Sequence, residues 1–323
     1  MSAGAGPTSA KIVAGYRAPD AHFDALRRIA PEYRVVRVDS VADAQREVVD
    51  ARVFLGNPFF LQALPFARDL RWMQSNSAGA DLILADPFAR EHPFVLTLAR
   101  GVYDDEMGDH ALSLLYALLR DLAGSLRAAA ERRWQRRHLP HLAGRRAFVF
   151  GWGGVGQAIA RRLLAARAEV VVVRRAPTSD RESAFELPVI DLEAGLARLP
   201  EAEVVMLALP LNRETRGVFD RSAFAAMRDG AILVNVARGA LIDEAALAEH
   251  IDRLGGVGLD VFAEEPLPAT HFLWSHERAI VTPHVARSPD AGAPPWLPLF
   301  EANLARFIGG QALLHTADKE LGY

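Results

Sequence analysis

Three polar residues in the second half of the chain have types suited to one reaction: Arg238, Glu265 and His284. They stand in Asn235-Val-Ala-Arg-Gly-Ala-Leu-Ile-Asp243, Gly258-Leu-Asp-Val-Phe-Ala-Glu-Glu-Pro266 and Val281-Thr-Pro-His284. Reduction of a 2-oxo acid by hydride needs one group to hold the carboxylate and polarise the ketone. It needs another to deliver a proton to the ketone oxygen. A guanidinium is a planar fork that stays charged and matches such oxygens, so Arg238 suits the first task. An imidazole exchanges protons near neutral pH, so His284 suits the second. Glu265 is suited to orient that imidazole and favour its protonated form. Taken singly, each has a plainer reading. Arg238 is then a strand-end cap or a surface ion pair, His284 a satisfied core histidine and Glu265 an exposed loop acid. What joins them is position, because each segment begins at the C-terminal end of an apolar run, and open α/β sheets bind ligands at that edge.

A second constellation lies upstream. Ala147-Phe-Val-Phe150 leads into Gly151-Trp-Gly-Gly-Val-Gly156 and then Gln157-Ala-Ile-Ala-Arg-Arg-Leu-Leu164. This is GxGxxG between a strand and a helix. Gly151 permits the tight turn, Gly153 lets the backbone approach a pyrophosphate, and Gly156 lets the helix pack on the strand. The helix N-terminus offers unpaired N–H groups and a positive dipole end. The next strand ends 23 residues after Gly151, where an acidic residue usually binds the ribose hydroxyls, and here it is Arg174, followed by Arg175. A guanidinium pairs with a 2′-phosphate through charge-assisted hydrogen bonds. Thr178 and Ser179 add hydroxyls nearby. The expected cofactor is therefore NADP, with NAD as the alternative. The plainer reading leaves both arginines as exposed surface charges.

Elements able to hold these residues follow from periodicity. Short apolar runs at 11–15, 35–38, 52–56, 70–74 and 94–98 read as strands of one small α/β domain. A long helical pattern covers 104–130, with Ala111, Leu114, Leu115, Leu118 and Leu122 on one stripe. Six further strands are expected at 147–150, 170–173, 204–209, 232–236, 258–261 and 279–282. Runs apolar on both faces indicate parallel sheets covered by helices. The fold class is α/β, with two doubly wound parallel sheets. After a Pro-rich loop at 288–298 one helix remains, about 299–308. It cannot form a domain alone, so it should dock on the first.

Bulk composition narrows the classes. Of 323 residues, 50% are hydrophobic and 24% charged, an ordinary globular mix. The net charge of −3 gives no general attraction to nucleic acid or anionic membrane. Arg132, Arg133, Arg136 and Arg137 form a local basic group, read as a solvated helix end. No apolar run is long enough for a membrane span. The chain has no cysteine, which excludes thiol nucleophiles, disulfides and cysteine-held metals. No metal site is expected. The opening MSAGAGPTSA lacks a secretory pattern and reads as a disordered tail, and a cytoplasmic enzyme fits best.

Across about residues 50–310 the chain resembles the D-isomer-specific 2-hydroxyacid dehydrogenases. The resemblance rests on the GxGxxG loop, Leu209-Pro-Leu-Asn-Arg-Glu-Thr215, Met227-Arg-Asp-Gly-Ala-Ile-Leu-Val-Asn-Val-Ala-Arg-Gly239, Asp260-Val-Phe-Ala-Glu-Glu-Pro266 and Thr282-Pro-His284. It implies that Arg238 binds substrate, that His284 is the general acid/base and that Glu265 is its partner. It implies cofactor contacts at Gly151, Gly153, Gly154, Val155 and Gly156, at Leu209, Pro210 and Thr215, at Val236 and Ala237, and at Asp260 near the nicotinamide carboxamide. Ser77-Ala-Gly-Ala-Asp81 resembles the family's loop whose backbone N–H groups hold the substrate carboxylate, so Ala78 and Gly79 are implied there. The family inserts a Rossmann cofactor domain into a flavodoxin-like substrate domain, here 101–285 within 1–100 and 286–323. It hinges at the two crossings, near 100–102 and 285–288, and is commonly homodimeric. The implied activity is hydride transfer between NAD(P)H and C2 of a small 2-oxo or D-2-hydroxy acid, with glyoxylate and hydroxypyruvate as plausible substrates. A phosphoglycerate-type dehydrogenase, phosphite oxidation and a non-catalytic dinucleotide-sensing co-repressor are alternatives. Formate oxidation is disfavoured because that branch carries Gln where Glu265 stands. The departures lie before residue 50, at Asp109 in place of Glu, and in the 288–298 segment. Trp296, and likewise Phe59 and Phe60, are pocket-lining or core residues on this reading.

Overall fold

Runs of Val, Ile, Leu and Phe that are apolar on both faces become the central strands of two parallel sheets. The computed structural model describes residues 10–175, 181–182, 186–287 and 293–323. The reading of the first nine residues, and of Thr178 and Ser179, falls outside them. The chain divides into two units, one comprising Met1–Val102 and Asp290–Tyr323, the other Tyr103–Pro289.

In the first unit, β1 (Lys11–Ala14), β2 (Arg34–Arg37), β3 (Ala51–Leu55), β4 (Trp72–Gln74) and β5 (Val95–Thr97) pair in parallel in the order β2-β1-β3-β4-β5. This is the flavodoxin-like doubly wound order. Helices α1 (Asp20–Ile29), α2 (Val41–Glu47), α3 (Phe60–Ala63), α4 (Asp81–Leu84) and α5 (Pro87–Glu91) form the crossovers. Ser40 and Asp86 cap α2 and α5 by accepting from the N–H of Asp43 and Ala89. Phe60 is fully buried and packs on Phe54 and Phe94, so it is a core residue.

The second unit opens with α6 (Asp104–Leu119) and α7 (Leu122–Ala130). It continues through β6 (Arg146–Phe150), α8 (Gly154–Ala165), β7 (Glu169–Val173), β8 (Arg181–Glu182), β9 (Leu187–Ile190), α9 (Leu192–Ala197) and β10 (Val204–Leu207). Then come α10 (Arg221–Ala226), β11 (Ile232–Asn235), α11 (Glu244–His250), β12 (Gly256–Leu259) and β13 (Ala279–Val281). Among the described residues the sheet runs β13-β12-β11-β10-β6-β7-β9-β8. It is a Rossmann order with a seventh parallel strand and a short antiparallel edge. Two apolar clusters cover its faces, one around Phe148, Phe150, Phe219 and Phe224, the other around Leu115, Val149, Ile159 and Met206.

Two expectations need correction. The long helical pattern at 104–130 is two helices, because Asp121 takes a left-handed conformation (φ 41°) and its carboxylate caps α7 at Gly124 N–H. The apolar stripe continues through the break, which is why periodicity alone did not show it. The six expected strands of this sheet lacked β8 and β9. Pro188 inside β9 and the polar stretch before it hid a strand that nevertheless pairs with β7 at Val172 and Val173.

The last helix, α12 (Leu297–Ile308), belongs to the first unit and packs on α1. Buried Asn303 ties it down, donating to Gln74 Oε1 (2.7 Å) and the Leu314 carbonyl and accepting from Leu314 N–H (2.8 Å). Trp296, ahead of this helix, is buried against Tyr16 and Phe300, with ring centroids 4.9 and 4.4 Å away, and so belongs to the core. No described helix is long and apolar enough to cross a membrane, and no group of three potential metal ligands occurs among the described residues.

Candidate active site

In the loop after β6, Gly151 and Gly156 stand where a side chain would collide with backbone. Gly151 has φ +109°, and a Cβ there would lie 2.3 Å from the Ala208 carbonyl oxygen. Its N–H bonds to Val173 O (2.8 Å), stitching the loop to the end of β7. A Cβ on Gly156 would sit 2.0 Å from Gly151 O, so the first turn of α8 lies directly on the start of the loop. At Gly153, by contrast, a Cβ would meet nothing within 4 Å. Gly153 is also the N-cap of α8 and supplies no side-chain acceptor. A twelve-residue helix therefore begins with N–H groups that its N-cap side chain does not satisfy. Asp104, the first residue of α6, holds its carboxylate against Gly154, a contact the sequence did not suggest.

Around this loop, Arg174 and Arg175 follow β7, half-exposed and exposed, with Arg174 N–H on Ile190 O. Leu209 is buried after β10. Thr215 is buried too, and its hydroxyl serves the loop itself, donating to Pro210 O (2.6 Å) and accepting from Asn212 N–H (2.9 Å). Val236 and Ala237 follow β11 and are buried. All of these lie at the C-terminal edge of the sheet in this unit, where a dinucleotide is held in such folds.

Arg238 is set by the same strand end. Asn235, fully buried, accepts from Ala237 N–H (3.0 Å) and donates to Arg238 O (2.9 Å), closing the turn. The Arg238 guanidinium donates to Ala237 O (2.7 Å). Gly239 is required next, because a Cβ there would lie 1.8 Å from the Phe262 carbonyl carbon. This close approach seats the Arg238 turn against the segment that carries Glu265.

Glu265 and His284 meet directly. His284 Nδ1 lies 2.7 Å from Glu265 Oε2, while Glu265 Oε1 accepts from Phe262 N–H (2.9 Å). The carboxylate is thus fixed by its own loop and in turn fixes one imidazole nitrogen, leaving Nε2 for a reacting group. The His284 side chain is 52% exposed, accessible to a small molecule. Its backbone is held at φ +54°, a region β-carbon-bearing residues rarely adopt.

The conformation of that turn is imposed by Asp260. Fully buried, it accepts from Thr282 Oγ1 (2.6 Å) and Val285 N–H (2.9 Å) at Oδ1 and from Ala286 N–H (2.9 Å) at Oδ2. Its carbonyl accepts the His284 N–H (2.9 Å). His110 on α6 adds its Nε2 to Thr282 Oγ1 at 2.9 Å. Burial by itself pushes the Asp260 carboxyl up. The hydrogen bonds from His110, Thr282 and the two amides outweigh it and hold the group below the ordinary carboxylate range. The sequence singled out Asp260 and quoted Thr282, yet gave no signal for His110, one polar residue among the apolar positions of α6.

In the first unit, Ala78 and Gly79 stand in the loop between β4 and α4. Ser75 Oγ accepts from Ser77 N–H (3.0 Å), and Ala99 N–H reaches Ser77 O (2.9 Å), so neighbouring backbone groups are already committed.

Comparison with known proteins places these features in context. Residues 112–286 match the family model described as D-isomer specific 2-hydroxyacid dehydrogenase, NAD binding domain. A glyoxylate reductase of Pyrococcus furiosus is 28% identical over 299 residues, covering 89% of this chain and 84% of that protein. A D-3-phosphoglycerate dehydrogenase of Archaeoglobus fulgidus is 28% identical over 267 residues, which is 81% of this chain and only 47% of that protein. The chain thus spans about half of that dehydrogenase. Among solved structures, an NADPH-dependent glyoxylate/hydroxypyruvate reductase of Sinorhizobium meliloti, in complex with NADP and sulfate, superposes with a TM-score of 0.83 at 26% identity. That match covers 97% of this chain and all of that one.

Proposed function

We propose that this chain, which belongs to the D-isomer specific 2-hydroxyacid dehydrogenases, reduces a small 2-oxo acid to the D-2-hydroxy acid with NADPH. The observation that carries this reading is the His284–Glu265 pair at 2.7 Å, its second imidazole nitrogen accessible, on a segment that touches the Arg238 turn. The glycine loop suits a dinucleotide, because its backbone is bare at Gly153 and α8 begins there uncapped. Gly151, Gly153, Gly154, Val155 and Gly156 would hold the pyrophosphate. Leu209, Pro210 and Thr215 would line the adenosine side, and Val236, Ala237 and Asp260 would flank the nicotinamide. When bound, the cofactor supplies the hydride that reaches C2 of the substrate.

The residues of the chain supply the rest. Arg238 holds the carboxylate and polarises the carbonyl through its fork of N–H donors. His284 gives a proton from Nε2 to the carbonyl oxygen as it becomes an alcohol. Glu265 keeps Nδ1 protonated and stabilises the charge on the ring before the proton leaves. In the first unit, the backbone N–H groups of Ala78 and Gly79 would offer an anion hold of their own. Arg174 and Arg175 are the basis for NADP over NAD, since guanidinium groups meet a 2′-phosphate where a carboxylate would repel it. The Sinorhizobium meliloti neighbour, crystallised with NADP, supports the same choice. A cytoplasmic homodimer completes the reading, with exposed Leu122, Leu126 and Trp134 on and after α7 as the apolar surface for a second copy.

The test is loss of reduced-cofactor absorbance with NADPH or NADH against glyoxylate, hydroxypyruvate, pyruvate and bulkier 2-oxo acids. Turnover with NADPH preferred, and the preference lost in Arg174→Asp, is the expected result. Turnover with NADH preferred would overturn the cofactor choice and keep the chemistry. Tight nucleotide binding without turnover on any acid would overturn the enzymatic reading.

A further inference from the structure

We propose that His110 is a positioning residue for the acid/base His284, acting through Thr282 and Asp260. The proposal rests on the reading of His284 as the proton donor. Hydrogen bookkeeping makes the chain directional. Thr282 has one hydroxyl proton. It goes to Asp260 Oδ1, 2.6 Å away, because that carboxylate is ionised and accepts from every other neighbour. The same hydroxyl oxygen must then accept from His110 Nε2 at 2.9 Å, so His110 carries its proton on Nε2. That nitrogen also lies 3.3 Å from Asp260 Oδ1.

The brace explains how His284 stays in its backbone conformation. A left-handed φ is unfavourable for a non-glycine residue and persists only where its surroundings impose it. Here they do so on both sides. Before His284, the Thr282 hydroxyl is tied to Asp260, and after it the N–H groups of Val285 and Ala286 are. Its own N–H is tied to Asp260 O and Thr282 O. Asp260 is fully buried, whereas His110 is the member that reaches the brace from another element, α6, with its side chain 20% exposed. Without the His110 N–H, the Thr282 hydroxyl loses the donor that polarises it. The Asp260 carboxylate then loses its only imidazole neighbour among the described residues. The turn relaxes, and the imidazole no longer points from Glu265 to the substrate oxygen.

The experiment compares the full-length chain with His110→Leu, Thr282→Val, the double variant and His110→Gln, whose side-chain N–H reaches a similar place. Amide hydrogen exchange is read at residues 284–286 and at β10, alongside kcat, KM and nucleotide affinity. The single variants should speed exchange at 284–286 about tenfold with β10 unchanged, because local openings are read locally. They should lower kcat at least about tenfold with KM within about twofold, as for a misplaced reacting group. The double variant should lose no more than the worse single one, since one chain is broken twice. His110→Gln should recover most of the loss. Unchanged exchange at 284–286 in both single variants, exchange that rises equally in β10, additive losses, or faster exchange with unaltered kcat would each overturn the proposal. A wild-type chain that turns over no 2-oxo acid, yet shows the exchange pattern, would instead remove the proposed function and leave the brace standing.

Discussion

At the scale of residues, the site is a set of side chains whose partners decide what they can do. His284 has one nitrogen spoken for by Glu265 and one open, and Glu265 is itself pinned by Phe262 N–H. His284→Ala removes the proton donor and nothing that shapes the glycine loop. Its kcat should fall by about 10²- to 10⁴-fold, the usual worth of general acid catalysis, with dinucleotide affinity near wild type. Stopped-flow hydride transfer and a fluorescence titration of NADPH check both halves, and a variant that loses nucleotide binding would show that the assigned role is wrong. The pair was legible in the sequence because both residues follow apolar runs at the edge where open α/β sheets bind ligands. The His110 contact was not, because a lone histidine on a helix carries no period and no motif.

At the scale of elements, turns matter more than strands. The strands need only apolar runs, but the turns after β6, β11 and β13 need particular backbones: glycine at 151 and 239, and a braced left-handed histidine at 284. Gly151→Ala puts a methyl 2.3 Å from the Ala208 carbonyl oxygen in a conformation alanine avoids. The loop must shift, so NADPH affinity should fall at least about tenfold, equivalent to about 1.4 kcal/mol, as in other overpacked sites. Calorimetric titration reads this directly, and unchanged affinity would mean that this turn does not hold the pyrophosphate. The glycines were visible as a motif. The broken helix at Asp121 and the strand at Leu187–Ile190 were not, because a capping carboxylate and a proline-bearing strand both contradict local propensity. Tertiary contacts override propensity in such places.

At the scale of the whole molecule, the chain leaves one unit, builds a second and returns, so residues over two hundred positions apart form a single core. Asn303 is the polar junction of that return, joining α12 to Gln74 and Leu314. Asn303→Leu fits the volume but leaves the Leu314 N–H without its acceptor. It should cost about 1–3 kcal/mol in urea unfolding, the penalty for orphaning buried polar groups. A loss below about 0.5 kcal/mol, the size of an ordinary surface substitution, would mean that α12 is held by its apolar face alone.

What the sequence determined by itself was whatever repeats at short range or depends on one residue type. That includes the parallel strands, the glycine loop with the helix after it, and the placing of Arg238, Glu265 and His284 after three successive strands. Its resemblance to the family followed from those motifs together. Tertiary structure alone decided the two-helix break, strand β9, the core burial of Trp296 and the Asp260 brace reaching from α6 to residue 286. The physical reason is the same throughout. Local patterns record which face of an element is apolar, whereas hydrogen bonds between distant segments depend on where those faces bring particular polar atoms together.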